Sequence, residues 1–99
     1  MSPVVAALTV DVHIATAATL KDKRSVVRSL VEGMRHRFPV SASEAGGHDL
    51  VQRALVVVAF AGPSVRGATD VLDAVERWVW SRPDIEIGSI DRHWLELDI

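Results

Sequence analysis

Apolar and polar side chains alternate with a period of two along Val4–Ile14, which is typical of a β-strand. One face of this strand is wholly apolar, whereas the other grades from small apolar to polar side chains. This pattern predicts a sheet that helices cover on one side only. The small apolar start of the second face further indicates partial cover there, by another subunit.

A first amphipathic helix begins at Leu20, where the apolar spacing changes to 3.6 residues. Thr19 suits the N-cap, and Asp22 three residues later completes a variant of the capping box. Pro39 ends the helix, because the residue before a proline avoids the helical region.

A second helix begins near Pro63 or Ser64, since proline fits the first helical turn, and it ends at Arg82-Pro83. Three further strands are predicted, at Val40–Ala45, at Arg53–Ala61 and at Ile85–Leu97, with Gly88 as a bulge in the last one.

The predicted order is therefore β-α-β-β-α-β. Right-handed crossovers place both helices on one face of a four-stranded antiparallel sheet. This is an α+β ferredoxin-like sandwich, and we expect residues 1–99 to form a single domain of this kind. The fold alone does not indicate a function, because it hosts many.

Composition excludes several function classes. The 99 residues include no cysteine, so a disulfide scaffold, a thiolate zinc site and a cysteine nucleophile are ruled out. No apolar run has the ~20 residues of a membrane helix, and Met1–Val10 lacks the features of a signal peptide. A cytoplasmic protein with no membrane contact is the expectation.

Charge is unevenly distributed although the net charge is only −2. Residues 1–37 hold six basic and three acidic side chains, whereas residues 70–99 hold three basic and eight acidic ones. Such asymmetry can steer a partner or pair copies of the chain head to tail, although each part can also simply solvate its own surface.

A basic stripe follows one side of the first predicted helix. Its members are Lys21, Arg24, Arg28 and Arg35. They can grip phosphates, with arginine making two-pronged contacts, or they can form a solvated face on which Glu32 pairs with a neighbouring arginine. Both interpretations stay open at this point.

Lys23 differs from this stripe, because its helical angle points into the apolar arc. Its chain either extends to solvent at the start of the helix or reaches a carboxylate such as Asp11 or Glu44. The sequence does not decide between the two.

Known catalytic and cofactor motifs are missing. The four histidines lack ligand spacing, so no metal site is expected, and no phosphate-binding glycine loop or GxSxG elbow occurs. The loop Ala15–Thr19 lacks the glycine and arginine of an acylphosphatase. Among the two central strands only Phe60 is aromatic, which disfavours RNA stacking on the sheet. We therefore expect no enzyme and no cofactor.

Trp80 lies well off the apolar stripe of the second helix. A tryptophan outside the core often anchors an interface. The alternative is that its ring folds over the end of the helix, against Pro83 or the last strand.

Three motifs resemble the YlxP-like family of small bacterial proteins, a domain of unknown function. They are Leu20-Lys21-Asp22-Lys23-Arg24, then Arg37-Phe38-Pro39-Val40-Ser41 followed by Glu44, and Asp49-x-x-Gln52-Arg53-Ala54. Thr19 stands where the family has serine, and Val51 stands where it often has tryptophan. The resemblance covers nearly the whole chain.

The resemblance implies a ferredoxin-like fold and no established catalytic residue. It also implies a role near RNA or the ribosome, because genes of this family often lie among those for transcription, translation initiation and ribosome maturation. The motif residues Glu44, Asp49, Gln52 and Arg53 either bind something or hold the fold together with Lys23 and Arg24.

Three hypotheses follow. The first is a non-enzymatic binding protein, a homodimer, that contacts RNA or a ribosome-associated partner through Lys23 and the basic stripe. The second is a homo-oligomeric interaction module that binds no nucleic acid and uses Trp80. The third is a small-ligand-binding protein that uses Lys23, Glu44, Asp49 and Arg53.

Overall fold

The computed structural model describes residues 2–99, so Met1 lies outside the description. The elements follow the order β-α-β-β-α-β, and their bounds are β1 Val4–His13, α1 Leu20–Arg37, β2 Ser41–Gly46, β3 Arg53–Gly62, α2 Val65–Trp80 and β4 Glu86–Glu96. The strands pair antiparallel in the order β2-β3-β1-β4. The predicted α+β ferredoxin-like fold is confirmed.

The core lies between the sheet and the helices. Along β1 every second residue is buried, from Val4 to Val12, and its neighbours are only partly covered. The buried residues of β3 face the same way, and α1 and α2 contribute Leu30, Met34, Leu72 and Val75. The opposite side of the sheet, called the open face below, has no layer packed on it within residues 2–99.

Side-chain caps fix where both helices begin. The Thr19 hydroxyl accepts a hydrogen bond from the Asp22 amide, and the Asp22 carboxylate accepts one from the Thr19 amide, so the predicted capping box is confirmed. In α2 the prediction needs a correction. Ser64 is the N-cap and accepts from the Gly67 amide, which leaves Pro63 before the helix rather than in its first turn.

The two helices approach closely where Trp78 of α2 crosses Gly33 of α1. A Cβ on Gly33 would lie only 2.6 Å from the Trp78 ring, so the close approach requires a glycine. Phe38 meets the same ring edge to face, with 6.2 Å between centroids, and the guanidinium groups of Arg37 and Arg82 lie over it.

The predicted bulge in the last strand is also confirmed. The pairing of β1 with β4 shifts between Asp11 and Val12, which face Ser89 and Ile87, so Gly88 is the extra residue. Without this shift the inward alternation of β4 would not match that of β1. Neither α1 nor α2 is both long and apolar enough to cross a membrane.

Candidate functional site

Lys23 is the one charged side chain among residues 2–99 that is completely buried, with 0% of its surface exposed. Its Nζ lies 3.0 Å from Glu44 Oε2, 2.8 Å from the Gly47 carbonyl and 3.1 Å from the His48 carbonyl. The Arg53 carbonyl is a more distant fourth acceptor at 3.4 Å. Since an ammonium has three protons, every donor of this buried group has a partner.

These contacts tie the first turn of α1 to the loop between β2 and β3. Glu44 is itself largely buried, with 16% of its side chain exposed, so the ion pair is shielded from water. Removing one partner of such a pair leaves an uncompensated charge and costs about 3–5 kcal/mol. Of the two alternatives for Lys23, the structure shows contact with Glu44, and the charge does not reach solvent. The expectation that Lys23 contacts nucleic acid or a partner therefore needs a correction, because its ammonium group is buried and all its donors are used.

Gln52 fastens the same loop to the segment between β1 and α1. Its side-chain amide donates to the carbonyls of Ala15 and Ala17, each at 3.1 Å. The Ile14 amide donates to the Gln52 carbonyl at 2.8 Å. The segment that leads into the first motif and the loop that carries the Asp49–Ala54 motif therefore lie side by side at one end of the sheet.

Arg53 points the other way, onto the open face. Its guanidinium donates to both carboxylate oxygens of Asp11, at 2.7 and 3.4 Å. Asp49 is exposed and makes no ion pair or side-chain hydrogen bond within residues 2–99. The small-ligand hypothesis therefore fails in one respect: its four residues do not line one common pocket. They are Lys23, Glu44, Asp49 and Arg53.

A hollow of about 550 Å³ opens at this end of the sheet. His13, Leu50 and Gln52 are among its lining residues. Two of its polar atoms already have partners: the Gln52 side-chain nitrogen holds two backbone carbonyls, and His13 Nδ1 contacts Glu86 at 3.2 Å. No cluster of three or more potential metal ligands occurs among residues 2–99.

Asp22 of the capping box has a lowered pKa, although it is exposed. The hydrogen bond from the Ala18 amide is the largest cause, and the hydrogen bonds with Thr19 act in the same direction. Because the depressed pKa belongs to the folded state, Asp22 stabilises the fold at pH values above its ordinary 3.8. This contribution is lost as the pH falls through the lowered pKa.

We therefore expect the Asp22→Asn variant to unfold at a lower temperature than the wild type at neutral pH. The difference should shrink as the pH is lowered from about 5 to about 2, because the wild-type carboxyl then becomes protonated. Thermal unfolding followed by circular dichroism at several pH values measures this. The exposed Asp49→Asn is the matched control, and a difference that stays constant with pH would contradict the assignment.

The basic stripe of α1 borders a groove of about 260 Å³ between α1 and β2, named the α1–β2 groove here. Arg24, Arg28 and Arg35 line it from the helix, and Ser43 and Glu44 line it from the strand. Within residues 2–99 neither Arg24 nor Arg28 has a carboxylate within ion-pair distance. Glu32 does not pair with either neighbouring arginine, and the Glu44 carboxylate is held by Lys23.

Arg35 contributes to this groove differently. Its guanidinium donates to the Ala42 carbonyl of β2 at 2.6 Å and so covers part of the free edge of the sheet. Lys21 is exposed at the start of α1 but is not among the residues that line the groove. The groove therefore presents two uncommitted guanidinium groups and a third that is anchored to the strand beside them.

The acidic side of the molecule lies where α2 meets β4. Arg92 of β4 donates to Asp73 at 2.7 Å and to Glu76 at 3.0 Å. Partial burial alone lowers the pKa of Arg92, but the hydrogen bonds to the two carboxylates outweigh it and raise the pKa. Trp80 borders a hollow beside these residues and is 63% exposed, so its ring is not folded against the last strand.

Comparison with protein-family models places residues 5–92 in one family, described as a protein of unknown function (DUF503). The chain belongs to this family. The match to DUF503 spans both helices and nearly all of the sheet, including the Lys23 ion pair and the α1–β2 groove. A comparison with curated proteins finds no match. Membership of DUF503 does not assign an activity to the chain. The finer resemblance to YlxP-like proteins stays a prediction.

Several contacts of the site could not be predicted from the sequence. The Arg53–Asp11 pair joins residues 42 positions apart, and it depends on the register of β1 against β3. The hydrogen bonds of Arg92 with Asp73 and Glu76 likewise depend on how α2 packs over β4. The alternation of β1 predicts that Asp11 lies on the face away from the core. It does not predict which residue pairs with Asp11.

Proposed function

We propose that this DUF503 protein is a non-enzymatic binding protein that holds RNA by its phosphates in the α1–β2 groove. One observation carries the proposal: within residues 2–99, Arg24 and Arg28 lie side by side in a groove without a carboxylate partner. Guanidinium groups that are not already paired are available for two-pronged contacts with phosphate.

The spacing of the arginines suits a chain of phosphates. Arg24 and Arg28 are one helical turn apart, about 6 Å along the axis, and Arg35 follows about 10 Å further on. An extended phosphate backbone that runs along α1 would meet all three in turn. Lys21, at the start of the helix, extends the positive potential at that end.

Contact with phosphates alone gives binding with little sequence preference. Stacking of bases on the sheet would add preference, but the ring of Phe60 packs towards the core. Neither Phe nor Trp lies on the open face within residues 2–99. The proposed RNA contact is therefore electrostatic and sensitive to salt.

The resemblance to YlxP-like proteins also supports a role in RNA binding, because the genes of that family often lie among those for translation and ribosome maturation. On this basis the RNA is proposed to be ribosomal or bound to the ribosome, and the protein to act in the cytoplasm. A small-ligand role has less support, since Lys23 and Glu44 neutralise each other and Arg53 is held by Asp11.

The proposal is tested by measuring the affinity of nuclease-treated protein for a fluorescent single-stranded RNA at several salt concentrations. We expect binding at low salt that weakens steeply as salt is added. With two to four cations in contact, the logarithmic slope should be about −1.4 to −2.8 for a single strand. No binding at low salt, or binding that is indifferent to salt, would overturn the proposal.

A protein partner is the other outcome that the groove allows. If the tagged protein captures an acidic protein from a nuclease-treated lysate, and this capture is lost in Arg24→Glu, the groove binds carboxylates rather than RNA. That result would also overturn the RNA proposal.

A further inference from the structure

The open face of the sheet has the composition of an interface. Seven apolar side chains lie on it, on three adjacent strands: Val5 and Ala7 of β1, Leu55, Val57, Ala59 and Ala61 of β3, and Leu95 of β4. Leu55 is 37% exposed and Leu95 is 58% exposed. Single exposed leucines are common at protein surfaces, but a contiguous apolar area of this kind marks an interaction surface.

Polar residues border this apolar area and share the β4 side of the face with it. Thr9 of β1 and His93 of β4 share a hydrogen bond of 3.1 Å, and the exposed Asp91 pairs with Thr9 across the strands. Asp11 and His13 lie at one end, beside their partners Arg53 and Glu86. Ser43 borders it on the β2 side. The Asp11–Arg53 pair is two-pronged and already neutral, so covering it would not leave an unpaired charge. An apolar area bordered by polar residues is the usual anatomy of a protein interface.

From these observations we infer that the open face binds the open face of a second copy of this chain. A sheet face of mostly small apolar side chains can pack on another sheet face, as in stacked sheets ~10 Å apart. An isologous pair uses the same surface twice, so the apolar area of one copy meets that of the other. Nucleic acid does not suit this surface, because it offers neither a Phe or Trp ring nor an unpaired cation within residues 2–99.

The available area agrees with a weak dimer. Strands of ten residues at ~3.4 Å per residue and ~4.8 Å spacing, with the shorter β2, give roughly 600 Å² of face per copy. Two copies would bury about 1,200 Å² in total, the lower end of specific interfaces. We expect a dissociation constant in about the micromolar range.

The dimer has a consequence for the proposed RNA contact, although it does not depend on it. With the sheets stacked, the helices of both copies form the outer layers. The two α1–β2 grooves then stay accessible, one on each side of the stacked sheets.

Sedimentation velocity of nuclease-treated protein over a range of roughly 5 to 500 μM tests this inference. We expect a shift from monomer to dimer in the wild type, and monomer throughout in a double variant, Leu55→Lys with Leu95→Lys. Both positions are exposed in the monomer, and circular dichroism checks that the variant folds. Leu95→Lys alone, on the edge strand β4, serves if the double variant does not fold, and it should weaken the dimer at least tenfold.

Trp80→Lys is the matched control, because it introduces the same charge at an exposed apolar residue on the helix side. It should dimerise as the wild type does. A wild type that is monomeric at every concentration would overturn the inference. A dimer that survives both the double variant and Leu95→Lys, or one that is lost in Trp80→Lys, would do so as well.

Discussion

Replacing Lys23 with methionine is expected to lower the free energy of unfolding by about 3–5 kcal/mol. Methionine fills a similar volume, so the loss is electrostatic. It leaves the Glu44 carboxylate without its cation and the carbonyls of Gly47 and His48 without a donor. Since small domains are stable by only ~5–15 kcal/mol in total, this is a large fraction of the stability.

Urea unfolding of Lys23→Met beside Lys21→Met measures this effect. Lys21 is the matched control, because it is a lysine on the same helical turn whose side chain is exposed. Its substitution should change the free energy of unfolding by no more than ~0.5 kcal/mol. Equal effects of the two substitutions would show that the buried ion pair does not stabilise the fold.

The milder variant Glu44→Gln separates the pair from the loop contacts. If Lys23 and Glu44 act together, the cost of both substitutions should be less than the sum of the two single costs, with a coupling of about 1–3 kcal/mol. Additive costs would mean that the backbone carbonyls, rather than Glu44, are the partners that matter.

Reversing the charge of Arg24 and Arg28 together is expected to weaken RNA binding by at least about 100-fold at low salt. Each charge-assisted hydrogen bond contributes ~1.5–3 kcal/mol, and a tenfold change in affinity corresponds to 1.4 kcal/mol. The slope of affinity against salt should also become shallower by about 1.4, because two phosphate contacts are lost. Fluorescence anisotropy with the same RNA gives both quantities.

Arg66→Glu is the control for this experiment. Arg66 is an exposed arginine at the start of α2, has no carboxylate partner within residues 2–99 and does not line the groove. The net charge of the protein changes in the same direction, so a general electrostatic effect would appear in this variant too. Comparable losses in both proteins would mean that RNA binds by overall charge and not in the groove.

The sequence predicts the fold well because its local signals agree with one another. The alternation of β1, the capping box at Thr19 and the two proline boundaries each point to the same element order. The second helix shows the limit of such signals. Pro63 is compatible with a first helical turn, but the Ser64 hydroxyl captures the Gly67 amide, and the helix begins one residue after it.

The site is less predictable, because its contacts join distant parts of the chain. The helical angle of Lys23 is enough to show that its side chain points inward. Its partner Glu44 lies 21 residues away, and the sequence offered Asp11 equally well. The alternation of β1 places Asp11 on the open face, whereas Glu44 lies on the helix side of the sheet, where Lys23 reaches it.

The most direct measurement is recovery of the tagged protein from its own cells at low salt, with the bound nucleic acid identified. Wild type and the double variant Arg24→Glu with Arg28→Glu are compared. We expect RNA to accompany the wild type, to be released by high salt, and to be missing from the variant. Wild-type protein that is recovered without RNA, or a variant that retains as much RNA as the wild type, would contradict RNA binding in the α1–β2 groove.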